Sequence, residues 1–123
     1  MAAPNLIGAP TITGKTSGTS LTTTSATSVL SNAASSNKCL KVNTLNVSNT
    51  TGSAVSITIA YNNAAAIAGT NFAIAGSMVV PANATLNIID KSSQYYLEEN
   101  SSIAATASAA NALVVTVSYE DIS

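Results

Sequence analysis

Asn49-Thr50-Thr51-Gly52, followed after two residues by Val55-Ser56-Ile57-Thr58-Ile59-Ala60-Tyr61, is the stretch on which the reading of this chain turns. Val55, Ile57, Ile59 and Tyr61 keep an uninterrupted period of two, which places them on one face of a strand. The Asn-Thr-Thr-Gly segment ahead of them has the chemistry of a hairpin-type turn. A strand half polar and half apolar needs a second layer to cover its apolar face. Further strands must supply that layer.

Toward the C-terminus the small residues Asn62 to Gly69 link to a run holding Phe72 and Ile74. Met78 to Val80 then lead into Pro81, which marks a strand end or an edge because proline cannot donate to a central ladder. Leu86, Ile88 and Ile89 form the next run, and Asp90 to Ser93 turn the chain. Tyr95 to Leu97, Ile103 to Ala107 and Leu113 to Tyr119 follow. In the last of these Leu113, Val115, Val117 and Tyr119 share one face. Ala104 to Ala112 is the one place where the propensity of alanine lets a helical turn compete.

Toward the N-terminus, Leu40 and Val42 alternate and then Leu45 and Val47 alternate one residue out of phase. A one-residue slip would flip the inward face, so the reading puts a bulge near Asn43 and Thr44 in a strand running from Lys38 to Ser48. A first short strand lies at Thr27 to Ser31. About eight strands at this spacing predict an all-β fold, an antiparallel two-sheet sandwich of jelly-roll or immunoglobulin-like type. Leu45, Val47, Val55, Ile57, Ile59, Leu86, Ile88, Ile103, Val115 and Val117 are its expected core.

Residues 1–24 read differently. Pro4 and Pro10 fix φ, Gly8, Gly14 and Gly18 are scattered among Thr and Ser, and only Leu6, Ile7, Ile12 and Leu21 are apolar anchors. The expectation is an extended N-terminal arm, 1–24, ahead of a sandwich domain, 25–123. Alone, such an arm cannot offset its ordering entropy, so Leu6, Ile7, Ile12 and Leu21 are expected to anchor it on neighbouring subunits.

Leu, Ile, Val and Phe supply 28 of 123 residues, whereas Ala, Ser, Thr and Asn supply 69. That is a thin core behind a small-residue surface. Four lysines, no arginine and five acidic residues leave a net charge of −1. Soluble domains average roughly a quarter charged residues, so this surface suits a chain packed in an assembly. Clustered Lys and Arg are needed to hold phosphates, which argues against nucleic acid as a partner. No apolar run is long enough for a membrane span, and the segment MAAPNLIGAP lacks the features of a signal peptide, so a cytoplasmic site of synthesis is expected.

Chemistry is scarce. Histidine is absent, which removes the commonest general base and metal ligand, and no Gly-rich phosphate motif occurs. The single cysteine, Cys39, reads as a buried thiol with no intramolecular partner. Glu98 and Glu99 are adjacent, and in a strand they point apart. They read as a solvated loop, with a cation site shared with Asp90 or Glu120 as the lesser alternative. The expectation is no enzyme, no cofactor and no metal. Tyr95, Tyr96 and Tyr119 are candidate interface aromatics, with core packing as the plainer reading. The Asn-x-Ser/Thr triplets at Asn46, Asn49, Asn83 and Asn100 are expected by chance in such a composition.

Three segments carry a family likeness: Val79-Val80-Pro81-Ala82-Asn83-Ala84-Thr85-Leu86 running to Asp90-Lys91, then Tyr96-Leu97-Glu98-Glu99, then Val115-Thr116-Val117-Ser118-Tyr119-Glu120-Asp121-Ile122. Over about residues 38–123 the pattern resembles small virion structural proteins of tailed bacteriophages, especially marine cyanophages. It departs from them at Asn100 and Ser101, where a Gly-Asp type of turn is expected. The resemblance implies a viral structural protein of the virion, assembled in the host cytoplasm. The leading role is a capsid decoration or cement protein, and the alternative is a neck, tail or baseplate component. It also implies partners: copies of itself, a trimer before a dimer, and other virion proteins such as the major capsid protein. From a different class, a carbohydrate-binding or adhesin module requires aromatic side chains exposed together on one face.

Overall fold

Alternation of β-branched and small polar residues selects strands almost everywhere along this chain. The computed structural model describes residues 11–90 and 92–123. Among these, nine strands form: β1 (Ile12–Leu21), β2 (Thr27–Asn32), β3 (Cys39–Asn49), β4 (Val55–Asn62), β5 (Asn71–Val80), β6 (Thr85–Ile89), β7 (Tyr95–Leu97), β8 (Ser101–Ala107) and β9 (Leu113–Ile122). Every pairing is antiparallel. One sheet has the order β1-β9-β3-β6, with β7 beside β6 on the same flank of β3, and the other has the order β2-β8-β4-β5.

The pairing follows a nested rule: β1 lies with β9, β2 with β8, β3 with β6 and β7, and β4 with β5. A long hairpin rolled into two facing sheets has this connectivity, which is that of a jelly roll and not of an immunoglobulin-like sandwich. β6 and β7 together fill one strand position. Leu45, Val47, Ile57, Ile59, Ile103, Val115 and Val117 are buried between the sheets, and Val55 is buried with them. Leu86 and Ile88 are only partly buried. The ladder shifts register between Leu45 and Asn46, so Ile89 occupies the fully covered position instead.

The phase slip in β3 is resolved as its alternation demands. Against β9 the register jumps between Val42 and Thr44, so Leu40 and Val42 before the bulge and Leu45 and Val47 after it all face inward. Ala104 to Ala107 are strand and not helix, because β2 and β4 flank β8 on both sides and supply its backbone partners. The small side chains of β8 also let the β4–β5 loop fold across the sheet. Within that loop the Ile67 N–H donates to Ser102 Oγ at 3.0 Å, and the Ala66 N–H donates to Ser31 Oγ at 2.9 Å.

The arm expectation is corrected from Ile12 onward. Ile12 to Leu21 pair residue for residue with Ile122 to Leu113, and Leu21 is buried in the core. The glycines at 14 and 18 do not prevent this, because an edge strand with one partner needs only backbone hydrogen bonds along one side. Leu6 and Ile7, with the rest of residues 1–10, lie outside the described residues.

Candidate interaction surface

β5 is an edge strand of one sheet and β7 an edge strand of the other, so their side chains meet on one flank of the sandwich. Tyr61 of β4 lies opposite Phe72 of β5 in register, and their rings stack at a tilt, with centroids 6.3 Å apart. Together with Ala73, Ile74, Tyr95 and Tyr96 they line a groove of about 390 Å³. Phe72 is 53% exposed, Tyr96 50% and Tyr95 37%. Farther along β5 Met78 and Val79 are also exposed, opposite Ile57 and Ser56 and so on opposite faces of the sheet. An edge strand carrying this much exposed apolar surface is the kind of feature that isolated monomers suppress with charge or proline.

The structure brings Tyr95 and Tyr96 together at this groove and places Tyr119 elsewhere. Tyr119 packs partly against the core and borders a separate polar cavity of about 290 Å³, with Lys15, Asn32, Lys38 and Asp121 among its walls. Ile12 is exposed on the β1 edge, free of the core. Leu21 is a core residue and not an interface anchor, since its inward position between the sheets is fully covered. Phe72, Ile74 and Tyr61 complete the groove, although nothing in their local pattern distinguishes them from core residues. The only signal was Pro81, which ends β5 and matches its edge position.

In the polar cavity Asp121 Oδ2 accepts from Lys15 Nζ at 3.0 Å and from Lys38 Nζ at 3.1 Å. Burial pushes its pKa upward, but the hydrogen bonds and charges of the two lysines outweigh that and hold the carboxyl below its ordinary value. The remaining carboxylates diverge. Asp90 is tied into its own turn by Ser92 and Ser93, which lowers its pKa. Glu120 accepts from Asn43 Nδ2 at 3.0 Å, and Glu98 is exposed. Glu99 departs from the solvated-loop expectation: it is buried, and its carboxylate accepts from the backbone N–H of Asn37. That loop donor satisfies Oε2 alone, while Oε1 is buried with no hydrogen-bond partner among the described residues. Among the described residues no three His, Cys, Asp or Glu side chains group as metal ligands.

Three buried asparagines position the loops that frame these surfaces. Asn49 Nδ2 donates to the carbonyls of Ser53 and Val80, while its Oδ1 accepts from the N–H and hydroxyl of Thr51. Asn32 Nδ2 donates to the carbonyls of Lys38 and Leu97, and so ties β7 to the β2–β3 loop. Asn62 Oδ1 accepts from the N–H groups of Ala64 and Gly69, holding the loop that leads to Phe72. At Asn100 the backbone is left-handed, with φ of 60°, so asparagine serves the corner where a Gly-Asp type of turn was expected. Cys39 is buried at the start of β3, and burial, aided by the charge of Glu98, raises its pKa.

No protein-family model matches the chain, and no curated protein matches it. Among solved structures it is similar to Bacillus endospore appendages, described as a family of disulfide-linked pili. The TM-score is 0.53 at 12% identity, over 92% of this chain and 88% of that one. At that identity the likeness is one of fold: an all-β sandwich of two antiparallel sheets.

Proposed function

We propose that this chain is a non-enzymatic structural subunit of a large protein assembly and, on its resemblance to small phage virion proteins, a capsid decoration or cement protein of a phage head. A neck, tail or baseplate position is the alternative within the same particle. The observation that carries the reading is the exposed aromatic and apolar flank of β5 and β7 on a domain of almost no net charge. A surface of that kind gains free energy at about 25 cal/mol per Å² when a neighbour covers it. The fold shared with a pilus-forming protein adds support for the coarser part, a subunit whose work is to pack against others. The partners expected are copies of itself and the shell protein of the particle, in a virion assembled in the host cytoplasm.

Quantitative mass spectrometry of purified phage particles tests this. Copy numbers comparable to those of the major capsid protein are expected. Absence of the chain from purified particles, with regular filaments formed by the isolated protein, would replace the virion role by a pilus-type one.

A second reading has its own observation. Tyr95, Tyr96 and Phe72 are exposed together, as a sugar-stacking platform requires. Among the described residues the groove offers a saccharide no carboxylate, amide or cation along its walls, and such polar groups fix the orientation of a ligand. Specific binding on a glycan array, lost in Tyr96→Ala, would establish this reading in place of the first.

A further inference from the structure

We infer that the aromatic groove between β5 and β7 receives the segment ahead of Thr11 from a second copy of this chain, with Leu6 and Ile7 as its apolar anchors. The inference rests on the structural-subunit reading and adds the surface through which copies meet. Among the described residues the groove is lined by Tyr61, Phe72, Ala73, Ile74, Tyr95 and Tyr96, none of them charged, and Met1 to Pro10 contain no ionisable side chain. A charged partner would lose solvation here without compensation. An apolar one loses nothing.

The segment also has the backbone chemistry that such grooves take. Ala3-Pro4 and Ala9-Pro10 bias the chain toward extended, polyproline-like conformation on both sides of Leu6 and Ile7. Extended proline-bearing segments dock in aromatic-lined grooves because little conformational entropy remains to be lost. Ten extended residues span up to about 33 Å, enough to cross from one domain to the next.

Geometry makes the donor and the acceptor different flanks of one molecule. Reciprocal backbone hydrogen bonds between Thr11 and Ser123, at 2.9 and 3.1 Å, fix where the segment leaves the sheet, at the β1 edge. The groove opens at the opposite edge, beyond β9 and β3, about three strand spacings or roughly 14 Å away. Docked on a second copy, the segment makes each molecule give on one flank and receive on the other. Contacts of that head-to-tail kind repeat, closing into a ring or continuing as an open array.

The test uses the full chain and two variants. Leu6→Asp with Ile7→Asp spoils the donor, whereas Phe72→Ser with Tyr96→Ser spoils the acceptor at exposed positions. Circular dichroism and thermal unfolding report that each is folded. In analytical ultracentrifugation the wild type is expected to self-associate, and each variant to do so at least about tenfold more weakly, the scale of lost anchor residues. The decisive sample is an equimolar mixture of the two variants. It retains one working donor and one working groove per pair, and so should give a dimer and nothing larger. Undiminished association of both variants would overturn this inference while leaving the structural-subunit reading in place. A mixture that stays monomeric, as when the segment docks on its own domain, would also overturn it. A wild type that is monomeric at tens of micromolar would overturn both.

Discussion

Lys15 and Asp121, 106 residues apart in sequence, meet at 3.0 Å across the β1–β9 ladder, and Lys38 joins the same carboxylate oxygen from the loop before β3. The first and last strands are thereby clamped to the third. Asp121 is held below its ordinary pKa, so the stability it contributes is present above about pH 3.9 and is lost as pH falls through the lowered folded value. Lys15 is raised, first by its hydrogen bond to Asp121, so its contribution is complete below about pH 10.4 and is lost as pH climbs past the raised value. Urea midpoints of the wild type and Asp121→Asn should differ by a constant amount at neutral pH and converge in acid. A gap that persists at pH 2 would show that the effect is packing and not charge. Because both lysines are nearly half exposed, the gap should also shrink in high salt.

Replacing Asn49 by alanine removes four hydrogen bonds and leaves the Val80 carbonyl without this donor in a buried setting. The expected cost is about 2–4 kcal/mol, the range for breaking a buried polar network. Equilibrium urea unfolding of Asn49→Ala measures it. A loss below about 0.5 kcal/mol would mean that water replaces the side chain without penalty.

Cys39 should be nearly inert toward thiol reagents in the native protein and react rapidly in urea, since its thiol is buried and its pKa raised. One cysteine per chain allows at most one intermolecular disulfide, so a non-reducing gel should show no ladder beyond a dimer. This separates the chain from a disulfide-linked polymer despite the shared fold. Rapid reaction of the folded protein would show that the start of β3 opens readily.

A chain beginning at Ser25 should not fold stably. It lacks all of β1, exposes the edge of β9 along ten residues and removes the buried Leu21. Leu21→Ala in the full chain should cost about 2–5 kcal/mol, the usual price of a buried leucine. A cooperative thermal transition of the Ser25 chain at the wild-type temperature would restore the view of residues 12–21 as an arm.

Much of the architecture was determined by the sequence alone, because period-two alternation acts over neighbouring residues. Val55, Ile57 and Ile59 could face only one layer, and the slip between Val42 and Leu45 required a bulge wherever β3 was placed. The same local logic failed at β1. Its Gly-Thr-Ser pattern carries too few apolar side chains to signal a strand, and its order comes from the backbone of β9, 100 or so residues away. Tyr95 and Tyr96 were legible as candidate interface residues by type. Their union with Phe72 and Tyr61 was not, because they sit on different sheets and only the rolled connectivity sets β5 beside β7. Likewise the three structural asparagines look, in sequence, like any of the thirteen in the chain. Burial among open carbonyls and N–H groups, a property of the packed sandwich, is what makes Asn32, Asn49 and Asn62 the ones that hold it together.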